Sequence, residues 1–425
     1  MESNYSRLGD LIVETGPKNS ENEITLLQGI SNNKHFQKAK TNTVGIKLET
    51  YRIVRTNEFA FNRATTRNGE KISIARRKGE DCVVSPSYRI FKIKDETLLN
   101  SEYLEMWFKR PAFDRYARFR SHGSAHEFFD YDEMSEVELP VPSLEKQQEI
   151  VADYNAVQDR IRINEQLNTA LEETAQALYK HWFVDFQFPV KYANSSTITS
   201  SPLERTEERL GYKSSGGAMV YNEELDMEIP LGWEVVSFLD ELNINGGGTP
   251  KTTNPDFWNG SIPFFTPKDV GKSFFTINTE KYLTEEGLEN CSSKLYNQNT
   301  IFITARGTVG AISISGRDMA MNQSCYAFID KDNLQYYGHQ SAKFAIDNLK
   351  RQAVGAVFSA LVTKDFESTM ILKPSLNVKQ KFNHLLEPIY SNILNAQIEN
   401  IKHRELSDLL LSKMATVVDG KELVN

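Results

Sequence analysis

Apolar residues recur at alternating spacings of four and three along two stretches of the chain. A 3.5-residue period that persists over about five heptads is typical of a coiled-coil seam. The first stretch follows Leu144, and Asn164, Leu167 and Asn168 fill the layers in its middle. Its apolar positions are Ile150, Tyr154, Val157, Ile161, Leu171, Ala175, Leu178 and Trp182. The pattern predicts one helix of about 36–40 residues, roughly 55–60 Å long.

The second stretch repeats the first at an offset of 232 residues. Pro142-Ser143-Leu144 recurs as Pro374-Ser375-Leu376, and Asn400 occupies the layer equivalent to Asn168. Its seam positions are Phe382, Leu386, Ile389, Ile393, Ala396, Asn400, His403, Ser407, Leu410 and Met414. Because both helices belong to one chain, we predict that they pair with each other as an antiparallel coiled coil. Asn164, Asn168 and Asn400 would then be polar layers that fix its register. Two unrelated surface helices are the alternative.

The remaining sequence forms two regions that mix strand-like and helical runs. In the first region, residues 43–48 and 80–91 predict strands, and 101–110 predict a helix that Ser101 caps and Pro111 ends. In the second region, residues 233–236 and 300–304 predict strands, and 340–350 predict a helix. We therefore expect an α+β protein with two globular domains separated by two long helices in a pseudo-twofold arrangement.

The Ser- and Gly-rich stretch 193–217 predicts a linker between the two halves. The predicted segments are a first domain 1–142, a first long helix with its end 143–190, a linker 191–228, a second domain 229–373, and a second long helix with its tail 374–425. Antiparallel helices would place the domains at opposite ends of a rod, which suits two separated half-sites on a duplex. Since the domains share little sequence, we expect those half-sites to differ.

Composition places the chain among ordinary cytosolic proteins. It has 425 residues, a net charge of -8 and 40% hydrophobic residues. It shows neither a secretory signal nor an apolar run near the ~18 residues of a membrane span. Cys82, Cys291 and Cys325 are too few and too far apart for a disulfide framework or a structural zinc site.

The negative net charge argues against nucleic-acid binding, but positive charge is concentrated locally in the first region. Residues 52–94 hold eleven Lys and Arg against four Asp and Glu, and a second basic group, Lys109 to Arg120, meets only Asp114. Such a cluster is compatible with DNA binding, although a solvated face without a ligand would look the same.

Amides, hydroxyls and guanidinium groups pair with base edges and phosphates. They concentrate in the run 62–71, for which a polar turn around Asn68-Gly69 is the alternative interpretation, and in several loops of the second region. The candidate DNA contacts are Arg63, Thr65, Thr66, Arg67, Asn68, Lys71, Arg76 and Arg77 in the first region, and Thr249, Lys251, Lys268, Arg306, Thr308, Asn322 and Gln323 in the second.

Motifs for catalysis are weak. Gly246-Gly247-Gly248-Thr249-Pro250-Lys251 lacks the spacing of a nucleotide-binding P-loop and is better interpreted as a loop whose backbone approaches a DNA phosphate. Asn254-Pro255-Asp256-Phe257 resembles the tetrapeptide of amino-methyltransferases, but Asp256 replaces a proline and no cofactor loop precedes it. Asp419 has no partner acid for a nuclease metal, and the histidines show no HxxxH pattern.

The chain resembles the specificity subunits of type I restriction–modification systems over essentially its whole length. The resemblance rests on EIPLGWE at 228–234, GGGTPKTTNPDFWNGSIPFFTPKDV from Gly246, ITARGTVGAI from Ile303, and MNQS from Met321. LPVPSLEKQQEI from Leu139 and ALYKHWFVDF from Ala177 add to it.

This resemblance implies a sequence-specific DNA-binding subunit without a catalytic site or a cofactor of its own. Each globular domain would be a target recognition domain that reads one half of a bipartite, asymmetric target. The paired helices would be a spacer and a docking surface for two methyltransferase subunits, which methylate adenine with S-adenosylmethionine. Restriction subunits that translocate and cleave DNA with ATP and Mg²⁺ would complete the assembly.

Three other functions compete with this interpretation. The first is the recognition subunit of a related methylase–nuclease system that lacks the translocase. The second is a stand-alone adenine methyltransferase, which the missing cofactor loop disfavours. The third is a coiled-coil scaffold that never touches DNA, which the basic cluster at 52–94 disfavours.

Overall fold

The chain folds into two compact units. The computed structural model describes residues 5–39, 47–64, 71–121, 127–192, 210–271, 273–352 and 360–416. Unit 1 comprises Met1–Ile161 and Lys402–Asn425, and unit 2 comprises Arg162–Ile401. Each long helix therefore contributes one part to each unit. Within the described ranges, no helix is long and apolar enough to cross a membrane.

Unit 1 is built on a four-stranded antiparallel sheet in the order β2-β9-β6-β7, with the pairs β1–β10, β3–β4 and β5–β8 beside it. Its strands are β1 (Tyr5–Arg7), β2 (Ile12–Thr15), β3 (Gln28–Ile30), β4 (Phe36–Lys38), β5 (Arg52–Val54), β6 (Phe59–Asn62), β7 (Ile74–Arg76), β8 (Cys82–Val84), β9 (Tyr88–Ile93) and β10 (Glu138–Pro140). Its helices are α1 (Leu8–Leu11), α2 (Ser101–Lys109), α3 (Pro111–Arg120), α4 (Tyr131–Ser135) and the first part of α5 (Leu144–Phe183). A 3-10 turn, Leu48–Thr50, precedes β5.

Alternation along β6 divides the core of unit 1 between the two faces of the sheet. Phe59 and Phe61 belong to the cluster that includes the helices, where Phe59 stacks on Phe91 at 5.2 Å. Ala60, which points the other way, packs with Cys82 in a second cluster. Successive side chains of a strand face opposite sides, so one short apolar strand supplies both cores.

Helix α2 begins and ends where local chemistry requires it. The Asn100 side chain accepts hydrogen bonds from the backbone N–H groups of Glu102 and Tyr103, so Asn100 is the N-cap and the predicted cap at Ser101 is wrong. The helix ends before Pro111, as predicted. Pro111 opens α3 instead, because a proline at the first helical position loses no hydrogen bond.

Unit 2 contains a five-stranded sheet in the order β14-β21-β18-β19-β16, a three-stranded sheet β17-β15-β20, and the pairs β13–β22 and β11–β12. Its strands are β11 (Met219–Asn222), β12 (Met227–Pro230), β13 (Glu234–Ser237), β14 (Leu242–Gly246), β15 (Trp258–Phe265), β16 (Phe275–Thr276), β17 (Lys281–Leu283), β18 (Ile301–Thr304), β19 (Ile312–Ser315), β20 (Ala320–Met321), β21 (Cys325–Asp330) and β22 (Met370–Lys373). Its helices are α6 (Phe238–Glu241), α7 (Glu285–Glu289), α8 (Gln335–Gln352), α9 (Thr363–Glu367) and most of α10 (Leu376–Lys413), with 3-10 turns at Val190–Tyr192, Lys213–Ser215 and Pro255–Phe257. The last 3-10 turn, Met414–Thr416, follows α10 in unit 1.

Both units use the same topology. In unit 1, β1 pairs with β10 and leads through α1 into β2 of the sheet β2-β9-β6-β7; in unit 2, β13 pairs with β22 and leads through α6 into β14 of β14-β21-β18-β19. In unit 1, β10 is followed by the long helix α5. In unit 2, the equivalent strand β22 is followed by the long helix α10. The repeat seen in the sequence therefore extends to this shared set of strands and helices, whereas the remaining sheets differ between the units.

The long helices pair antiparallel within each unit. In unit 1, Gln158 Nε2 donates to Ser407 Oγ at 2.9 Å. In unit 2, Asn164 faces Asn400, and the Trp182 ring lies 5.3 Å from that of Phe382. Residue numbers rise along α5 while those of their partners fall along α10. The predicted antiparallel pairing is confirmed in both units.

Two asparagine layers of the seam are buried, and they differ in their hydrogen bonding. Asn164 Nδ2 donates to Asn400 Oδ1 at 2.9 Å and to Glu399 Oε2 at 3.1 Å. Asn168 is 7% exposed, and its Oδ1 has no hydrogen-bond partner among the described residues. The register of the Asn164–Asn400 layer places Ala396 opposite Asn168, so no amide meets it there. Leu167, predicted as a seam residue, is 45% exposed and lies outside the seam.

A buried polar side chain near the start of each long helix bonds to neighbouring residues and fixes the helix there. The two units use different chemistry for this contact. In unit 1, the buried Gln147 amide donates to Leu98 O at 2.9 Å and Pro142 O at 2.8 Å, and it accepts from Asn100 N at 2.8 Å. The equivalent residue in unit 2 is Lys379, 232 positions later.

Lys379 Nζ lies 2.6 Å from Glu241 Oε2, 2.7 Å from Asp332 Oδ2 and 3.8 Å from Asp330 Oδ2. Burial alone would lower the pKa of Lys379, but hydrogen bonds to Asp332 and Glu241 raise it above its ordinary value. A neutral network thus holds one helix start and a buried ionic network holds the other.

Several predicted elements occur with shifted ends. Strands β8 and β9 lie within 80–91 and just beyond, β13 and β18 match 233–236 and 300–304 to within a residue, and α8 extends the helix predicted at 340–350. Residues 43–46 of the predicted strand 43–48 lie outside the described residues. The predicted linker is folded over 210–228: Tyr212 stacks on Phe188 at 4.6 Å, and β11 pairs with β12.

Candidate nucleic-acid interface

Four loops of unit 2 converge where β14, β15, β18 and β20 end. Residues 246–251, 266–269, 305–308 and 322–324 form this unit 2 loop cluster. Gly248 N donates to Met321 O at 3.1 Å, Asn322 N to Phe265 O at 2.9 Å, and Ala305 N to Ser324 O at 2.8 Å. Backbone hydrogen bonds therefore hold the loops against one another, so their side chains share one surface.

All seven unit 2 candidates lie on this cluster. The Thr249 hydroxyl is hydrogen-bonded to the Gln323 side chain, and Asn322 Oδ1 accepts from Ser324 N at 3.0 Å. Lys251, Lys268, Arg306 and Thr308 are exposed, and Lys268 Nζ lies 3.6 Å from Glu280. Within the described part of the chain, the Arg306 guanidinium makes no ion pair. The arrangement presents positive charge, amides and hydroxyls together, which are the groups that contact phosphates and base edges.

The glycines of this cluster serve its packing. A Cβ on Gly247 would lie 2.2 Å from Asn322 O, and one on Gly248 would lie 2.7 Å from Ser292 N. Only glycine permits so close an approach between β14 and the neighbouring loops. Gly247 and Gly248 are therefore explained without a phosphate, whereas a Cβ on Gly246 would meet no atom within 4 Å. The predicted approach of this backbone to DNA stays a prediction.

In unit 1, Arg63 lies beside a carboxylate and an aromatic ring. Its NH1 is 3.2 Å from Asp130 Oδ2, and its guanidinium carbon lies 4.9 Å from the centre of the Phe128 ring. Burial alone would raise the pKa of Asp130, but hydrogen bonds from Arg89 and Tyr131 N and the charge of Arg89 lower it. Arg63 is held in place by these contacts while 38% of its side chain remains exposed.

Lys71 is the other candidate of the run 62–71 that the structure describes. Lys71 is exposed at its end, next to Ile72, whose N–H donates to buried Asp114 at 3.2 Å. The candidates Thr65, Thr66, Arg67 and Asn68 lie outside the described residues.

Arg76 and Arg77 are structural residues, and we withdraw them as DNA contacts. Arg76 is 8% exposed, with NH2 2.8 Å from Glu102 and Nε 3.0 Å from Glu105 on α2. Arg77 is 7% exposed, donates to Glu80 O and Gln28 Oε1, and lies over the Phe36 ring. Both guanidinium groups are buried and bound to acceptors, so neither can reach a phosphate. The sequence did contain a signal, since Glu102 and Glu105 share one face of α2.

Helix α3 carries part of the basic group noted in the sequence at 109–120, whose residues are not among the candidate DNA contacts. Arg115 and Arg118 are exposed on it, and Phe119 lies between Arg118 and Arg120. The acid of this helix, Asp114, is buried 2.8 Å from Lys34 Nζ. Burial lowers the pKa of Lys34, although Asp114 opposes the shift. Because Asp114 is neutralised inside the unit, the charge that α3 presents to solvent is positive.

One histidine, His339, and two cysteines, Cys82 and Cys325, lie in the interior. Burial lowers the pKa of His339 to about 3, and its Nδ1 lies 2.7 Å from the Tyr390 hydroxyl. Burial also raises the pKa of the Cys82 thiol to about 11 and that of Cys325 to about 12. Over the ranges that the structure describes, no three His, Cys, Asp or Glu side chains cluster as a metal site.

Two units of one topology, each with polar and basic loops, define a class of protein that reads a nucleic acid in two parts. A family model described as "Type I restriction modification DNA specificity domain" matches residues 5–173 and 230–403. The chain belongs to this family, and it has two specificity regions.

Individual relatives agree with this membership. The type I restriction enzyme MjaIX specificity subunit of Methanocaldococcus jannaschii is 29% identical over 321 residues, 74% of this chain and 68% of the relative. The HindI specificity subunit of Haemophilus influenzae is 27% identical over 325 residues, 67% of this chain and 69% of the relative. The S subunit structure from M. genitalium has a TM-score of 0.57 at 12% identity and covers 97% of this chain and 96% of its own. At that identity, this likeness shows the fold alone.

Proposed function

We propose that each unit binds one half of a bipartite, asymmetric DNA target, and that the chain itself carries no catalytic site. The observation that carries the proposal is the repeated topology with unlike loops. Strands β6 and β18 occupy equivalent places and end at Asn62 and Thr304. Arg63 follows in unit 1 and Ala305 in unit 2. Equivalent frames with different side chains favour two half-sites of different sequence.

The side chains on the loops of each unit determine which DNA contacts that unit makes. In unit 2, Thr249, Lys251, Lys268, Arg306, Thr308, Asn322 and Gln323 form the binding surface. In unit 1, the candidates are Arg63, Lys71 and, between them in sequence, Thr65 to Asn68, and α3 adds basic residues next to Ile72, which donates to Asp114 of that helix. The lysines and arginines contact phosphates and set affinity, whereas the amides and hydroxyls supply base contacts.

The helix pair serves as the spacer between the half-sites and as the docking surface for two methyltransferase subunits. Those subunits bring S-adenosylmethionine and methylate adenine, and restriction subunits that use ATP and Mg²⁺ join the same assembly, in the cytoplasm. Inserting seven residues into both α5 and α10 adds two helical turns, ~10.5 Å. We expect a longer spacer in the target, and an unchanged target at full affinity would contradict the spacer role.

Adenine methylation mapping tests the proposal. It compares cells that express this chain with its candidate methyltransferase partner and cells that express the partner alone. We expect a split motif of two unlike halves that is modified only when this chain is present. Methylation independent of this chain would favour the scaffold, and S-adenosylmethionine binding by the isolated chain would favour a methyltransferase.

A further inference from the structure

One phenylalanine of unit 1 is turned almost entirely to solvent. Phe119 is 83% exposed, the largest exposed fraction among the large apolar side chains that the structure describes. Phe113, on the same helix, is 3% exposed. A single exposed apolar residue needs no explanation by itself. The positively charged residues around Phe119 are the feature that indicates a function.

Phe119 lies on a positively charged helix face. It follows Arg115 by four residues, so the two share one face of α3, and Arg118 and Arg120 flank it in sequence. The acidic residue of the helix, Asp114, is buried against Lys34. Arg118 lies 2.9 Å from Glu127, a contact that positions this turn. An apolar ring among arginines is complementary to a polyanion with an apolar interior, which is what stacked base pairs are.

The same helix is linked to described residues on both sides of the run that holds the unit 1 DNA candidates. Before that run, Arg63 O accepts from Phe129 N at 2.9 Å, and Glu127, two residues before Phe129, pairs with Arg118 of α3. After it, Ile72 N donates to Asp114 of α3 at 3.2 Å. DNA that contacts Arg63 and Lys71 would therefore lie next to α3.

We propose that Phe119 inserts as a wedge between two base pairs of the half-site that unit 1 binds, while Arg115 and Arg118 contact the flanking phosphates. Apolar side chains that enter a base step unstack it and kink the duplex. The inference rests on the proposed function and adds deformation of the DNA to it. Unit 1 would then select its half-site partly by how easily one step opens, since flexible steps are cheaper to kink.

The test uses the full chain with its methyltransferase partner and a duplex that carries the target found by methylation mapping. 2-Aminopurine placed at successive positions of the unit 1 half reports unstacking as a rise in fluorescence. We expect a rise at one step with the wild type and none with Phe119→Ala, together with roughly tenfold weaker binding. Phe119→Leu keeps an apolar wedge and should keep most of the rise.

Leu98→Ala is the matched control, because Leu98 is another exposed apolar residue of unit 1, at 57%, outside α3. It should change neither readout. Flat fluorescence with the wild type, or a rise that Phe119→Ala leaves intact, would overturn the wedge. So would loss of the methyltransferase from the Phe119→Ala complex in size exclusion with DNA affinity of the chain unchanged, which would make Phe119 a protein contact. If the wild-type complex does not bind the duplex at all, the proposed function fails first and the wedge with it.

Discussion

The two units share a sheet topology, yet they anchor the start of their long helices through different kinds of interaction. In unit 1, Gln147 satisfies two carbonyls and one N–H without any charge. In unit 2, Lys379 binds carboxylates of Glu241 and Asp332 and lies near Asp330. Burial raises the pKa of Asp330, opposed by the charge of Lys379. The fold therefore requires that buried polar groups be matched at this position, whereas the kind of match is free to vary.

The largest effect that this comparison predicts is for removal of the buried cation. Lys379→Met leaves Glu241 and Asp330 buried without it, and we expect unit 2 to lose about 3–5 kcal/mol of unfolding free energy. Gln147→Met is the matched control, which strands only neutral groups and should cost unit 1 roughly 1–3 kcal/mol. Hydrogen exchange read by mass spectrometry follows each unit separately. Equal losses of unfolding free energy for the two variants would contradict the predicted difference between the ionic network and the neutral network.

The polar layers of the helix pair offer a second comparison, inside unit 2. Asn164→Ala removes the donor to Asn400 and should cost about 1–3 kcal/mol, because a buried amide loses its partner. Asn168→Ala removes an amide whose Oδ1 is already unpaired, so its cost should be clearly smaller. Urea denaturation of the two variants measures the difference. A larger loss for Asn168→Ala would show that Asn168 has a partner in solution.

The loops of the two units differ in how their arginines are used. Arg306→Ala in unit 2 should weaken DNA binding uniformly across sequences and lower the salt slope by about one, because Arg306 is proposed to contact a phosphate. A loss of roughly 1–3 kcal/mol confined to one position of the target would show instead that Arg306 reads a base edge. Arg76→Met in unit 1 should instead lower stability and leave the salt slope unchanged, because Arg76 is bound to Glu102 and Glu105. Binding titrations at several salt concentrations separate these outcomes.

The smallest predicted effect concerns pH. In Asp330→Asn, Oδ1 still accepts from Asp332 N and Leu334 N, so we expect a loss below about 1 kcal/mol at pH 7. Since the pKa of Asp330 is raised on folding, the folded state binds a proton more readily than the unfolded state. The wild type should gain stability over the variant as the pH falls through the raised pKa of the folded state to below the unfolded value of about 3.9. A difference that shrinks or stays constant over this range would contradict the raised pKa.

Sequence patterns predicted the helices well, because a heptad period is local and survives any tertiary context. They even placed Asn164, Asn168, Asn400 and Ser407 in a seam where all four are buried. Leu167 was misplaced, since Asn168 beside it takes the seam position. The period cannot tell which of two adjacent residues turns inward.

Sites were harder to predict, because exposure and pairing depend on contacts between distant residues. The sequence predicts Arg76 and Arg77 as DNA contacts. In the structure, Glu102 and Glu105 of α2 pair with Arg76 instead. The seven unit 2 candidates were chosen by side-chain chemistry, while their convergence follows from the strand order β14-β21-β18, which no spacing reveals. The exposure of Phe119 was equally invisible to composition.

The central claim is that the two units read separate halves of one target. Methylation mapping with two loop variants tests it most directly. One variant carries Thr308→Ala and Gln323→Ala in unit 2, and the other carries Thr65→Ala and Asn68→Ala in unit 1, because hydroxyls and amides are the proposed base contacts. We predict that each variant relaxes or loses recognition in one half of the motif and leaves the other half unchanged. Changes in both halves with either variant, or a motif unaltered by both, would contradict the account.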